Sequence, residues 1–316
     1  MNLLPISAII PTIGRRARLL RTLASLLEQD RVPAQIVVVD ASDRPLRAED
    51  LPSLPSGVAV HCQTAEGRGA AAQRNQAVRA ATEPYLLFLD DDIDLQPGCL
   101  RVLWERLTSD PTLGGCSARL LNASYHPPGK LFRRVLHWVG CPAAGSLAGR
   151  CCGPALNFLP EAPARSSEDD HVEWLNLGCT LYRRAALPDP PFLPFFAGYS
   201  LLEDVALSAH VAKRWRLACP TGADVHHDSQ PADYKTPAFR RERMEVLHRA
   251  FVAREILGQR GLAAAMHHVL YQVFMTLVSL RTTGGWRRLP AATAGKLAGA
   301  WAAMRSKGRW KGYVSA

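Results

Sequence analysis

The stretch from Tyr85 to Leu95 reads YLLFLDDDIDL. Five mostly apolar residues run without a spacer into Asp90, Asp91 and Asp92, and Asp94 follows one apolar residue later. Adjacent carboxylates repel one another and cannot all be desolvated, so a chain that buries this strand must deliver its end to an open polar crevice. Oxygen ligands at an Asp-X-Asp spacing suit magnesium or manganese held against a diphosphate, which would offset the repulsion. The competing reading is a helix N-terminus near Gln96 or Pro97, where acids stabilise the first turn. One acid would satisfy that role, and three exceed it.

Other short runs rich in Val, Ile and Leu precede this one: Ile6 to Pro11, Gln35 to Asp40 and Val58 to His61. Polar or helical stretches separate them, an alternation that predicts an α/β fold with a mainly parallel, doubly covered sheet. Leu19, Leu20, Leu23, Leu26 and Leu27 fall at helical spacing between the first two runs. Gly69 to Ala81 reads as a second helix, stopped by Pro84. In open α/β sheets ligands bind beyond the carboxyl ends of the strands, so Asp40 and the triple aspartate should face one crevice. From Asn122 to Asp170 the pattern weakens into a long irregular excursion with an embedded helix around Lys130 to Val139. The cluster Glu168, Asp169 and Asp170 follows no apolar strand and reads as a solvated loop. There is no internal repeat.

A chain of 316 residues can bury a full-sized core. Its eight cysteines show no zinc-site spacing and read as reduced. The opening MNLLPISAIIPT lacks the pattern of a signal peptide and reads as a first strand, so a cytoplasmic location is expected. The formal net charge is +10, concentrated late: from Arg254 onward there are ten Lys and Arg against the single acid Glu255.

Six segments in order carry a resemblance: IIPTIGR, VVVDASD, RNQAVRAATEPYLLFLDDD, NLGCTLYRR, LLEDVALSAHVAKR and VHHDS. Together they resemble the family-2 glycosyltransferases of the GT-A fold, over about 230 residues. The resemblance implies a Rossmann-like catalytic domain over 1–235, followed by a basic helical segment over 236–316. It implies a nucleotide side formed by Pro11, Thr12, Arg15, Asp40, Arg68, Arg74, Asn75, Asp90 and Asp91. Asp90 and Asp92 take the DXD role, and with a histidine they would hold Mn2+ or Mg2+; His226 is preferred to His227. Asp204, with Glu203 beside it, is implied as general base. Gly178, Cys179 and Arg183 would line the donor sugar, and Trp174 is a candidate to stack on a sugar face, with core packing as its competing reading. Departures from the family pattern occur at Ile13, Gly14, Ala77 and Ala206.

Leu262 to Leu280 is nearly long enough to cross a bilayer, but His268, Gln272, Thr276 and Ser279 fall on one stripe, which predicts an amphipathic helix. Leu297, Ala300, Trp301 and Met304 share a face flanked by arginines and lysines, a pattern for a helix in a membrane interface. The competing reading is helices that cover the catalytic domain or an oligomer interface. No nucleic-acid-binding motif accompanies the charge, and no GxGxxG follows the first strand, which argues against a dinucleotide enzyme.

The expected function is inverting, metal-dependent transfer of a hexosyl or deoxyhexosyl group from a nucleoside diphosphate sugar, with uridine or thymidine as base. The expected acceptor is a glycan or lipid-linked hydroxyl in cell-surface polysaccharide synthesis, on the inner face of the membrane. The alternative is a noncatalytic nucleotide-sugar or glycan-binding subunit on the same fold.

Overall fold

The computed structural model describes residues 2–51, 54–123, 125–160, 170–196, 198, 200–228, 237–281, 285–306 and 310. In chain order the elements are β1 (Asn2–Thr12), α1 (Arg16–Leu27), β2 (Arg31–Asp40), β3 (Ala59–Thr64), α2 (Ala70–Ala80), β4 (Tyr85–Leu89), β5 (Ile93–Leu95), α3 (Cys99–Ser109), β6 (Leu113–Ser117) and β7 (Arg119–Leu120). They continue with α4 (Lys130–Trp138), β8 (Cys151–Cys152), β9 (Leu156–Asn157), β10 (Cys179–Arg183), α5 (Glu203–Val211), β11 (Arg216–Ala218), β12 (Asp224–His227), α6 (Ala238–Phe251), α7 (Leu262–Ser279) and α8 (Gly285–Arg305).

The chain divides into two compact units, the first comprising 1–125 and 159–229, the second 126–158 and 230–316. The segment 126–158 departs from the expected division, because it groups with the C-terminal helices.

In the first unit, seven strands form a sheet of order β11-β6-β10-β4-β1-β2-β3. Strands β4, β1, β2 and β3 run parallel, and β10 enters antiparallel between β4 and β6. Both faces are covered, which is why the strands read as near-continuous apolar runs in sequence. Ile6, Ala8 and Ile10 of β1, Ile36 and Val38 of β2, and Leu87 and Leu89 of β4 share one buried cluster with Leu19, Leu23 and Leu26 of α1 and Leu100, Leu103 and Leu107 of α3. Register then places the site: Thr12 pairs with Asp40, Asp40 with Thr64, and Ile9 with Phe88. The carboxyl ends of four parallel strands therefore share one edge. A smaller sheet, β5-β12-β7, continues from it.

Asp170 is buried rather than solvated: its carboxylate accepts two hydrogen bonds from the Arg106 guanidinium, at 2.6 and 3.1 Å. A charge so buried needs a partner, and a distant arginine supplied one that sequence spacing did not reveal. Glu168 and Asp169 lie outside the described residues.

In the second unit α6 and α8 pack closely. A side chain at Gly299 would stand 2.6 Å from the carbonyl oxygen of Arg243, and one at Gly295 would collide with that of Phe239. The glycine pair, one turn apart, lets the two backbones approach. Helix α7 is inverted relative to its expected orientation in water. Gln272 and Tyr271 are buried, while Thr276 accepts a hydrogen bond from Lys296 Nζ at 2.9 Å. Burial holds the His268 imidazole down to about 4, so it stays neutral. The polar stripe read in the sequence thus faces the protein.

Candidate functional site

Asp90, Asp91 and Asp92 follow β4 at the shared sheet edge, and each carboxylate meets a different partner. Asp90 faces inward along α2, where the Arg74 guanidinium donates to it at 2.6 Å. Asp91 accepts from the Thr12 hydroxyl at 2.6 Å and lies 3.1 Å from Arg15. Asp92 pairs with Arg15 at 2.6 Å and with His227 Nε2 at 3.1 Å. Burial pushes Asp91 up to about 6, against the pull of Thr12 and Arg15. Burial pushes Asp92 in the same direction, but the His227 hydrogen bond and the charges of His227 and Arg15 outweigh it and hold that carboxyl below the usual range.

The histidine facing this cluster is His227, and His226 is exposed. The reason is strand alternation: β12 pairs antiparallel with β5, placing His227 opposite Ile93 and His226 opposite Asp94. Successive side chains leave opposite faces, so only one histidine of the pair can turn toward Asp92. Two further contacts hold it. Asn122 exchanges hydrogen bonds with the His227 backbone at 2.7 and 3.2 Å, and the Asp228 N–H donates to the Asp92 carbonyl at 2.9 Å. Ligand atoms of Asp90, Asp92 and His227 all lie within 4.8 Å of one another. Two carboxylates and an imidazole form a donor set that fits manganese or magnesium.

A second pair of acids enters the same site. Glu203 and Asp204 occupy the first turn of α5, where the helix N-terminus favours negative charge. Glu203 receives the second arm of the Arg74 guanidinium, so one buried arginine spans Asp90 and Glu203. Burial by itself would lower Arg74; Glu203 and Asp90 reverse the effect and keep it charged. Burial pushes Glu203 up to about 7, opposed by Arg74, and Asp204 up to about 6. The Asp204 carboxylate also accepts from the N–H of Val205 at 2.8 Å.

Other residues named from sequence fall into two groups. Pro11 and Thr12 end β1 at the site, and Gly178 lies beside it, its carbonyl accepting the Asp90 N–H at 2.9 Å. Asp40 is buried, with one oxygen accepting from the Ser42 N–H at 2.8 Å and the other from the Leu46 N–H at 2.8 Å, so it shapes the loop after β2. Arg68 is exposed in the turn before α2, 3.7 Å from Asp43.

Arg183 does not line the site. Strand β10 runs antiparallel to β4, pairing Cys179 with Leu89 and Arg183 with Tyr85, so Arg183 lies at the opposite end of the sheet and donates to the carbonyls of Leu107 and Leu113. Asn75 is also structural: its side chain donates to the Phe192 carbonyl at 2.7 Å and accepts the Phe192 N–H at 3.0 Å. Trp174 and Cys179 are buried in the core. Sequence reasoning missed the task of Gln73, which donates to the carbonyls of Thr12 and Val39 at 2.9 and 2.8 Å and ties together the ends of β1 and β2. The signal was available, since a glutamine among alanines on a helix facing the sheet needs a polar partner.

Residues 7–133 match the family described as Glycosyl transferase family 2. Among solved structures, a mannosyltransferase from Pyrobaculum calidifontis, in complex with GDP-Man and Mn2+, is similar at 18% identity and TM-score 0.50, covering 98% of this chain and 83% of that one. This is the GT-A fold. GalNAc-T7 with UDP, GalNAc and Mn2+ has the same architecture at 15% identity and TM-score 0.52; the match covers 83% of this chain and about half, 52%, of that one. No curated protein matches the chain in sequence. In this chain the acidic cluster lies at the carboxyl edge of the parallel strands of that fold.

Proposed function

We propose that this protein is a metal-dependent glycosyltransferase that moves a sugar, with inversion, from a nucleoside diphosphate sugar to an acceptor hydroxyl. The observation that carries the proposal is the joining of two acidic sites by one buried cation. Asp90 and Glu203 share Arg74, and Asp92 and His227 complete a metal-ligand set beside them.

Asp90, Asp92 and His227 would hold Mn2+ or Mg2+, which when bound stabilises negative charge on a departing diphosphate. The chain's own residues do the rest. Asp204, ionised near neutral pH, takes the proton from the acceptor hydroxyl as its oxygen bonds to the anomeric carbon. The bond from that carbon to the diphosphate oxygen breaks, releasing the nucleoside diphosphate. Arg74 keeps the general-base side and the metal side from repelling one another, and Arg15 does the same for Asp91 and Asp92.

A uridine or thymidine donor, a hexosyl or deoxyhexosyl group, and a glycan or lipid-linked acceptor for a cell-surface polysaccharide complete this reading. The second unit carries 19 Lys and Arg against four Asp and Glu, a charge suited to the anionic inner face of a cell membrane.

Calorimetric titration of uridine, thymidine, guanosine and cytidine diphosphates, with and without manganese, tests the donor site. Binding that requires both the metal and Asp92, and is lost in Asp92→Asn, supports the assignment and selects the base. Nucleotide binding without transfer to any acceptor pool would instead favour a binding subunit. A retained anomer in the product would rule out direct displacement.

A further inference from the structure

Helix α7 presents its apolar side to solvent. Leu262, Met266, Val269, Leu270, Val273 and Leu277 are between 46 and 77% exposed, and at helical spacing they form one stripe roughly 100° wide. Its other side is engaged. Phe274 stacks on Phe132 with ring centroids 5.4 Å apart, Tyr271 lies 5.4 Å from the Arg249 guanidinium, and Lys296 Nζ donates to the Gln272 carbonyl at 3.2 Å. Water would favour the opposite orientation, with His268, Gln272, Thr276 and Ser279 outward.

The surrounding chemistry identifies what covers the stripe. α7 contains no Asp, Glu, Lys or Arg. The following helix exposes Trp286, Trp301 and Met304 together with Arg287, Arg288 and Arg305, and the Arg305 guanidinium sits 4.3 Å over the Trp301 ring. Indoles and guanidinium groups around an uncharged apolar helix match the headgroup boundary of an anionic bilayer. Helix α7 is also long and apolar enough to cross a membrane by composition, but a spanning helix would strip its polar side from Lys296, Arg249 and Phe132.

We propose that α7 lies in the plane of an anionic membrane leaflet, its apolar stripe inserted among the acyl chains and its polar stripe packed on the second unit. This rests on the charge-based membrane reading given above and adds the inserting element to it. Charge brings the unit to the surface, and the stripe holds it there when charge is screened.

The test is flotation of the full chain with vesicles of phosphatidylglycerol and phosphatidylcholine, at low salt and at about 1 M salt, where the screening length falls to about 3 Å. Wild type is expected to float with the anionic vesicles in both conditions. Val269→Asp/Val273→Asp, altering two exposed positions, should still float at low salt but fall at least roughly tenfold in bound fraction at high salt. Its nucleotide binding and melting temperature, measured alongside, should match wild type and exclude misfolding.

Complete release of wild type at high salt would overturn insertion while leaving the charge reading standing. Failure to float even at low salt would overturn both. A soluble dimer that the double variant dissociates, with no vesicle binding, would give the stripe to a second copy of the chain and also overturn insertion.

Discussion

The two units handle charge and apolar surface in opposite ways. The first carries 24 Asp and Glu against 19 Lys and Arg, and its site acids are bound to specific cations: Arg74 to Asp90 and Glu203, Arg15 to Asp91 and Asp92. The second has almost no acids to pair with its arginines. Apolar surface divides likewise. Among the described residues, every large apolar side chain that is exposed belongs to the second unit except Leu3, Ile13 and Leu121. The first unit satisfies its crevice acids internally, each with a specific cation or hydrogen-bond donor. The second leaves apolar side chains and arginines exposed over its helix faces.

The largest expected effect comes from disturbing the crevice chemistry directly. Asp204→Asn keeps the shape of the side chain but cannot take the acceptor proton, so transfer should fall by about 10²- to 10⁴-fold while nucleotide binding persists. Radiolabelled sugar transfer beside calorimetry separates the two. Undiminished transfer would remove Asp204 from the general-base role.

Next comes the internal compensation itself. Arg74→Met deletes the cation between two buried or half-buried acids, and leaving such charges unpaired typically costs about 3–5 kcal/mol. Chemical denaturation should show this loss. In contrast, Arg287→Ala/Arg288→Ala in the second unit, which alters exposed arginines, should stay within about 0.5 kcal/mol of wild type. A similar cost for both variants would erase the comparison.

pH should act on the first unit in two directions. Asp204 has its folded value raised from 3.8 to about 6 by burial, so the native state holds its proton more tightly than the unfolded chain. Its contribution to stability is therefore full below about 3.8 and lost as pH rises through about 6, in the free protein. Catalysis needs the ionised form, so kcat/KM should rise through the same window and level off above it. Melting curves and rate profiles between pH 4 and 8 check both signs, and Asp204→Asn should abolish the rising limb of any residual activity. The smallest effect is on stability in the second unit: Val273→Asp, at a half-exposed position, should shift it by no more than about 0.5 kcal/mol.

Local information in the chain determined the strands, the helices and the sheet edge on which the site lies. Apolar runs announce buried strands, and three consecutive aspartates at the end of one demand positive or hydrogen-bonding partners there. The glycosyltransferase resemblance supplied the proposed roles of Asp90, Asp92 and Asp204. Tertiary structure decided what depends on direction and partner. His227 replaces His226 because strand pairing fixes which face of β12 meets Asp92. Arg183 leaves the site because β10 runs antiparallel to β4. Arg74 serves both acidic sites because α2 carries it between Asp90 and Glu203, which are 113 residues apart in sequence. The amphipathic period of α7 was legible too, but a period has no sign. Only packing of Tyr271, Phe274 and Gln272 against the second unit shows that the apolar face is the one left outside.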